Sequence, residues 1–222
     1  MDILLFFVLF LSLLFLSRTL TAAISGFFYR TTRNYHLAIQ ILSLLFLPGV
    51  IFHELGHWFV ASILLVPTGD IEFLPQVQGD SVKLGSVQVA KTDMIRRFFI
   101  GVAPIIFGLV ALCGIFWFLS PSLAPITWKT ILFAYALFEI GNTMFSSSKD
   151  LEGVAGIVIL LLLVIAFLLF FRFPLVPLVL SLVTLPFIAQ IAQILSQFLL
   201  LAILLDALCI AGIFLLTKLL KK

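Results

Sequence analysis

Long runs without a charged residue constrain this chain more than any other feature of its sequence. Residues 98–119 contain no Asp, Glu, Lys or Arg, and residues 173–205 contain none either. A helix needs about 20 apolar residues to cross the hydrocarbon core of a bilayer. Charged residues make up 10% of the chain, against about a quarter in soluble domains, so its apolar surface must face lipid. We therefore expect an integral, multi-pass membrane protein.

The apolar runs predict an all-α polytopic fold with about six transmembrane helices. The predicted spans are about 3–17 or a longer run toward Phe28, about 36–65, 98–119, 128–145 and 152–171, and a long last helix after Pro186, which a short or re-entrant piece from Leu175 precedes. The second of these exceeds one crossing, and Pro48-Gly49 is its expected kink. Asp2 and the lack of a basic residue before the first run favour a retained span over a signal peptide.

One long polar stretch, residues 66–95, separates the second span from the third. Within it, "DIEFLPQVQ" and "SVKLGSVQV" alternate apolar and polar residues around Gly79-Asp80, which predicts a small β-hairpin. Pro75 indicates that its strand has a free edge. The hairpin is either a plain connection or an edge that pairs with an extended peptide.

The chain divides into three predicted segments. Residues 1–35 form an N-terminal helix and a basic loop, residues 36–155 form a core that includes the hairpin, and residues 156–222 form C-terminal helices. The net charge of +3 indicates ordinary flanking Lys and Arg rather than a nucleic-acid surface. The compact size fits the plasma membrane of a prokaryote and leaves an organelle open.

Three ionisable residues interrupt the second span within five positions. His53, Glu54 and His57 form the pattern HExxH. On a helix, positions i and i+4 lie on one face, about 6 Å apart, so both imidazoles can reach one zinc ion. Glu54 lies about 100° round the helix, where it can take a proton from a metal-bound water. Ionisable groups at membrane depth are costly and usually functional, which favours a metal site.

A catalytic zinc ion usually has three protein ligands and one open position. His36 precedes His53 by 17 positions, about 25 Å along a continuous helix, and is expected to be an interfacial residue instead. The remaining candidates for the third ligand are acidic residues at or near membrane depth: Glu139, Asp150, Glu152 and Asp206.

Two stretches of the chain, "FHELGHWFVA" and "GNTMFSSSKD", together resemble the site-2 protease family of intramembrane zinc metalloproteases. That family combines HExxH with a distant N-x2-P-x4-D-G motif on a later core span. Asn142 and Asp150 have the family's spacing, whereas Phe145 replaces the proline and Leu151 replaces the glycine. "GVAP", residues 101–104, is similar to the start of the family's middle core helix. The resemblance covers about residues 36–155.

The resemblance implies a Zn²⁺-dependent endopeptidase that acts on membrane proteins or peptides. By that resemblance, Asp150 joins His53 and His57 as the third metal ligand. Asn142 would steady the substrate or the developing oxyanion, and the hairpin edge would hold an unwound substrate strand beside the zinc. Glu54 is the expected general base.

Two other functions are compatible with parts of the sequence. A non-catalytic membrane protein that binds zinc to scaffold or regulate other proteins would also need the histidine pair. A transporter would use the intramembrane charges as an ion path, and it would show interrupted spans in two corresponding halves. The sequence has one Pro-Gly break and no visible internal repeat, which places the transporter last.

Overall fold

The structure, a computed structural model, describes residues 2–73, 76–78, 81–83, 85–119, 126–145, 150 and 154–219. It is mostly helical and contains one small antiparallel hairpin. The elements, in chain order, are α1 (Asp2–Thr32), α2 (Tyr35–Leu45), α3 (Leu47–Ile63), β1 (Thr68–Glu72), β2 (Gln76–Gln78), β3 (Ser81–Lys83), β4 (Ser86–Val89), α4 (Met94–Leu119), α5 (Trp128–Thr143), α6 (Val154–Phe170), α7 (Leu175–Val183) and α8 (Pro186–Leu219).

Among the described residues, three helices are long and apolar enough to cross a bilayer, namely α1, α4 and α8. The bent pair α2–α3 adds a fourth span if it is counted as one. Helices α5 and α6 have 16 and 17 residues. At about 1.5 Å per residue they rise about 24–26 Å, which falls short of a hydrocarbon core of about 30 Å. The structure thus supports a helical membrane protein with three or four spans, and not the six that the apolar runs predicted.

The predicted kink in the second span is a break between two helices. Helices α2 and α3 meet at Phe46 with a bend of 69°. Pro48 lies in the first turn of α3, where its missing N–H would have had no intrahelical partner. Gly49 lets α3 approach α5, because an added Cβ would lie 2.5 Å from Thr143 Oγ1. The prediction of a kink at Pro48-Gly49 is confirmed to within two residues.

The predicted hairpin is also confirmed. Strands β1 and β4 pair antiparallel, with Glu72 opposite Ser86, and β2 and β3, which lie between them in sequence, form a second antiparallel pair. Residues 79–80 of the predicted turn and Pro75 lie outside the described residues. In the described part of the hairpin each sheet has two strands, so β1 and β4 each have one edge without a strand neighbour.

The first and last long helices, α1 and α8, pack along each other. Two buried clusters link them to the rest of the chain. One contains Leu13, Leu112, Leu137 and Leu199, from α1, α4, α5 and α8. The other contains Leu20, Ile24, Leu42, Phe46 and Val50, from α1 and the bent pair. Helices α3, α4 and α5, which carry the polar residues described below, are thereby held in one bundle.

Helix α4 begins with an acidic cap. Asp93 Oδ1 accepts hydrogen bonds from the backbone N–H groups of Arg96, at 3.0 Å, and Ile95, at 3.1 Å. These bonds, the Arg96 bond first, hold the pKa of Asp93 below its ordinary value, because they stabilise the carboxylate. The register of α4 is therefore fixed at its polar end.

Candidate metal centre

The two histidines of HExxH lie on one face of α3, as predicted. Their Nε2 atoms are 3.2 Å apart. His57 is buried, and the His53 side chain is 12% exposed. The helix is continuous from Leu47 to Ile63, so helical geometry alone places the two rings one turn apart.

Asp150 lies beside this pair and could supply a third ligand atom. Its Oδ1 lies 3.5 Å from His57 Nε2, and its Oδ2 lies 3.8 Å from His53 Nε2. One ligand atom from each of the three residues falls within 4.8 Å of the others. Zinc bonds of about 2.0–2.2 Å to nitrogen and oxygen, arranged tetrahedrally, would separate neighbouring ligand atoms by about 3.3–3.5 Å. The convergence that the resemblance implied is present in the structure, and its spacing is close to that of ligand atoms around one small cation.

In each histidine ring, a hydrogen bond at Nδ1 determines that Nε2 faces the other two candidate ligands. His53 Nδ1 lies 2.6 Å from the Thr143 carbonyl oxygen, and His57 Nδ1 lies 2.7 Å from that of Ile100. A carbonyl only accepts, so each Nδ1 must donate, and a neutral ring then presents the lone pair of Nε2. When both rings are neutral, two imidazole nitrogens and a carboxylate face one another here, which is a donor set that suits zinc.

Of the four acidic residues proposed from the sequence as third ligands, Asp150 joins the histidines. Glu139 and Asp206 are buried elsewhere and are not members of the group. Glu152 lies outside the described residues. His36 is exposed in the first turn of α2, as expected of an interfacial residue. The sequence alone did not decide which acidic residue is the third candidate ligand. Among the described residues, Asp150 is the one that lies beside the histidines.

Residues of "GVAP" shape the place where Asp150 docks. The Asp150 backbone carbonyl lies directly against Gly101, in space that an added Cβ would occupy. Pro104 packs on Gly56, the glycine within HExxH, where an added Cβ would lie 3.3 Å from Pro104 Cα. Helix α4 therefore contacts both halves of the centre, α3 and the Asp150 segment, through two glycines. Neither contact is evident from the sequence of this stretch.

The two departures from the family motif have different outcomes. Phe145, in the place of the family's proline, packs edge-on against Phe10 of α1, with ring centroids 5.3 Å apart. It therefore ties the end of α5 to the first helix. Leu151, in the place of the glycine, lies outside the described residues.

Asn142 does not point its amide at the histidines. Its Nδ2 donates to Asp206 Oδ1 at 2.8 Å and to the Phe138 carbonyl at 2.9 Å. The amide group of Asn142 thus binds a carbonyl of its own helix and the carboxylate of Asp206 on α8. Its predicted role beside the oxyanion stays a prediction. The contact also gives a structural role to Asp206, which the sequence had offered as a candidate third ligand.

Glu139 binds the start of the helix that carries the histidines. Its Oε2 accepts the Gly49 N–H at 3.1 Å. Helix α3 has no side-chain cap of its own, and a carboxylate at a helix N-terminus is stabilising. Glu139, which the sequence offered as a candidate third ligand, therefore acts as a cap for α3 that is supplied by α5.

The hairpin lies over Glu54. Glu54 is buried on α3, and Gly85, just before β4, is packed against it. An added Cβ at Gly85 would lie 3.1 Å from both Cγ and Oε1 of Glu54, and 2.5 Å from Val50 Cγ1. The sequence offered no signal for this contact beyond the glycine itself, because the two residues are 31 positions apart (85 minus 54).

Gly85→Ala is expected to lower any activity of the centre by about 100-fold, because a displacement of about 1 Å at a reacting group has effects of that size. The added methyl group must move either the hairpin or the Val50 side chain, and it also crowds the Glu54 side chain. The matched control is Gly26→Ala in α1, where an added Cβ meets nothing within 4 Å. Equal activity of the two variants would contradict the close packing of Gly85 on Glu54.

No protein-family model, no curated protein and no solved structure matches this chain. The likeness to site-2 proteases therefore depends on the motifs quoted above. Function has to be argued from the geometry of the centre.

Proposed function

We propose that this chain is an intramembrane zinc metalloprotease, similar to site-2 proteases, that hydrolyses peptide bonds of membrane-embedded or membrane-adjacent substrates. The observation that carries the proposal is the convergence of His53, His57 and Asp150 within 4.8 Å. Asp150 follows His53 by 97 positions (150 minus 53), so helix periodicity alone does not bring it there. A cluster of such groups between apolar helices is costly unless it binds something.

In this proposal His53, His57 and Asp150 hold the metal, and Glu54 does the proton chemistry. Zinc, when bound, supplies a Lewis acid and lowers the pKa of a coordinated water. Glu54 takes a proton from the attacking water and returns it to the leaving amine. The Thr143 and Ile100 carbonyls keep the two rings oriented throughout.

Asn142 is proposed to steady the substrate or the oxyanion. It is the residue before Thr143, whose carbonyl binds His53. Its amide donates to Asp206 in this structure, so the role requires the side chain to turn from α8 toward the histidines.

The hairpin is proposed to bind the substrate as an added strand. A transmembrane helix buries its peptide bonds in its own hydrogen bonds, so cleavage needs a locally extended segment. A strand edge supplies main-chain donors and acceptors to such a segment. The packing of Gly85 on Glu54 supports this role, because it puts the start of β4 next to the proposed base.

The proposed substrates are membrane proteins or peptides, and the proposed setting is the plasma membrane of a prokaryote. The lipid bilayer is the expected environment of α1, α4 and α8. No nucleic-acid partner is proposed, because the net charge is only +3.

The proposal is tested with the purified full chain in proteoliposomes that contain a panel of transmembrane peptides. We expect cleavage products by mass spectrometry, loss of cleavage with 1,10-phenanthroline, and recovery when one equivalent of Zn²⁺ is restored. Stoichiometric zinc without cleavage of any peptide would favour the scaffold instead. A chain that binds no zinc would overturn both functions.

A further inference from the structure

The carbonyl that orients His57 lies in the interior of a helix. His57 Nδ1 is 2.7 Å from the Ile100 oxygen, and Ile100 is the seventh residue of the 26-residue helix α4. In such a position a carbonyl normally accepts the N–H of the residue four positions later. An occupied carbonyl is a poorer partner for a histidine ring.

The residue four positions after Ile100 is Pro104, and proline has no N–H. The Ile100 carbonyl therefore lacks its intrahelical donor. A backbone carbonyl without a partner is costly between apolar helices, where water is scarce. The His57 N–H satisfies this carbonyl, and the carbonyl in turn fixes the ring.

The other ring uses a carbonyl that is free for a different reason. His53 Nδ1 binds the oxygen of Thr143, which is the last residue of α5. The last four carbonyls of a helix lack intrahelical donors. Both rings of the centre thus dock on helix carbonyls left open, one by a helix end and one by a proline.

We propose that Pro104 is a positioning residue of the metal centre: its missing N–H keeps the Ile100 carbonyl open for His57 Nδ1, and so turns His57 Nε2 toward His53 and Asp150. This inference rests on the proposed metal site and not on proteolysis. Pro104 also packs on Gly56, so a test must separate the loss of its ring from the gain of an N–H.

Two variants at position 104 make that separation in the full chain. Pro104→Ala removes the ring and restores an N–H that competes with His57 for the Ile100 carbonyl. Lactic acid at position 104 is the ester analogue of that alanine, so it also lacks the ring but has no donor. If the missing N–H is what matters, the two variants behave differently.

Zinc affinity, measured by competition with a chelator, is the first readout. We expect Pro104→Ala to weaken zinc binding about 10- to 100-fold, the usual effect of losing an outer hydrogen bond to a ligand histidine. The ester analogue should stay within about 3-fold of the unaltered chain. Equal losses would assign the effect to the ring, and equal retention would remove any role; either result overturns the inference.

The second readout needs no metal. In chain labelled with ¹⁵N-histidine, His57 should carry its proton on Nδ1 in the unaltered protein and in the ester analogue, and lose that preference in Pro104→Ala. An unchanged His57 in Pro104→Ala would overturn the inference. If the unaltered chain bound no zinc while this pattern held, the proposed function would fail and the role of Pro104 in orienting the ring would stand.

Discussion

Glu54→Gln should abolish peptide cleavage while zinc stays bound. Glutamine has nearly the shape of glutamate, so the packing of residue 54 under Gly85 is preserved, but an amide does not accept the proton of the attacking water. General-base catalysis typically contributes about 10²- to 10⁴-fold, and we expect a loss of kcat/KM in that range. Cleavage of a transmembrane peptide and zinc content are measured on the same preparation.

Retained zinc is the internal control of that experiment, because Glu54 is not one of the three residues whose ligand atoms converge. A variant that loses both metal and cleavage would point to a ligand or folding role for Glu54. A variant that cleaves at the original rate would eliminate Glu54 as the base.

Asp150→Ala should weaken zinc binding by more than about 100-fold, beyond the 10- to 100-fold that outer-shell partners of a metal typically contribute. The substitution leaves the two imidazoles as the only protein ligands of the group, whereas a catalytic zinc site usually has three. The Asp150 oxygens lie 3.5 and 3.8 Å from the two Nε2 atoms, which is close to the separation of ligand atoms that share an ion. Chelator competition measures the change.

Glu139→Gln and Asp206→Asn are the matched controls for Asp150, because each removes a buried carboxylate that the sequence also offered as a ligand. Both should bind zinc within about 3-fold of the unaltered chain, since neither residue belongs to the converging group. If either of them lost zinc and Asp150→Ala kept it, the assignment of the third ligand would be wrong.

Local patterns in the sequence predicted the structural features that depend on residues close together in the chain. The spacing of His53 and His57 predicted one helical face, Pro48-Gly49 predicted the bend, and the alternation on both sides of residues 79–80 predicted the hairpin. Each of these features depends on residues a few positions apart. The selection of Asp150 came from family spacing alone, and the structure confirms its position beside the histidines.

Contacts between distant elements were not predictable in the same way. The Asn142–Asp206 hydrogen bond joins residues 64 positions apart, and Glu139 caps a helix that begins about 90 positions earlier. Neither has a periodic signal. The span count failed for a related reason: an apolar run shows that a helix is compatible with lipid, but not where it ends. Helix α5 stops at Thr143, and that end frees the carbonyl that binds His53.

X-ray absorption at the zinc edge of the metal-loaded, purified chain tests the central claim most directly. The account predicts two imidazole nitrogens and additional oxygens at about 2.0–2.2 Å from one zinc ion. Scattering from sulfur at about 2.3 Å, or a spectrum without imidazole, would contradict it. The first result is the ligand set expected of His53, His57 and a carboxylate such as that of Asp150, and the second would place the metal elsewhere in the chain.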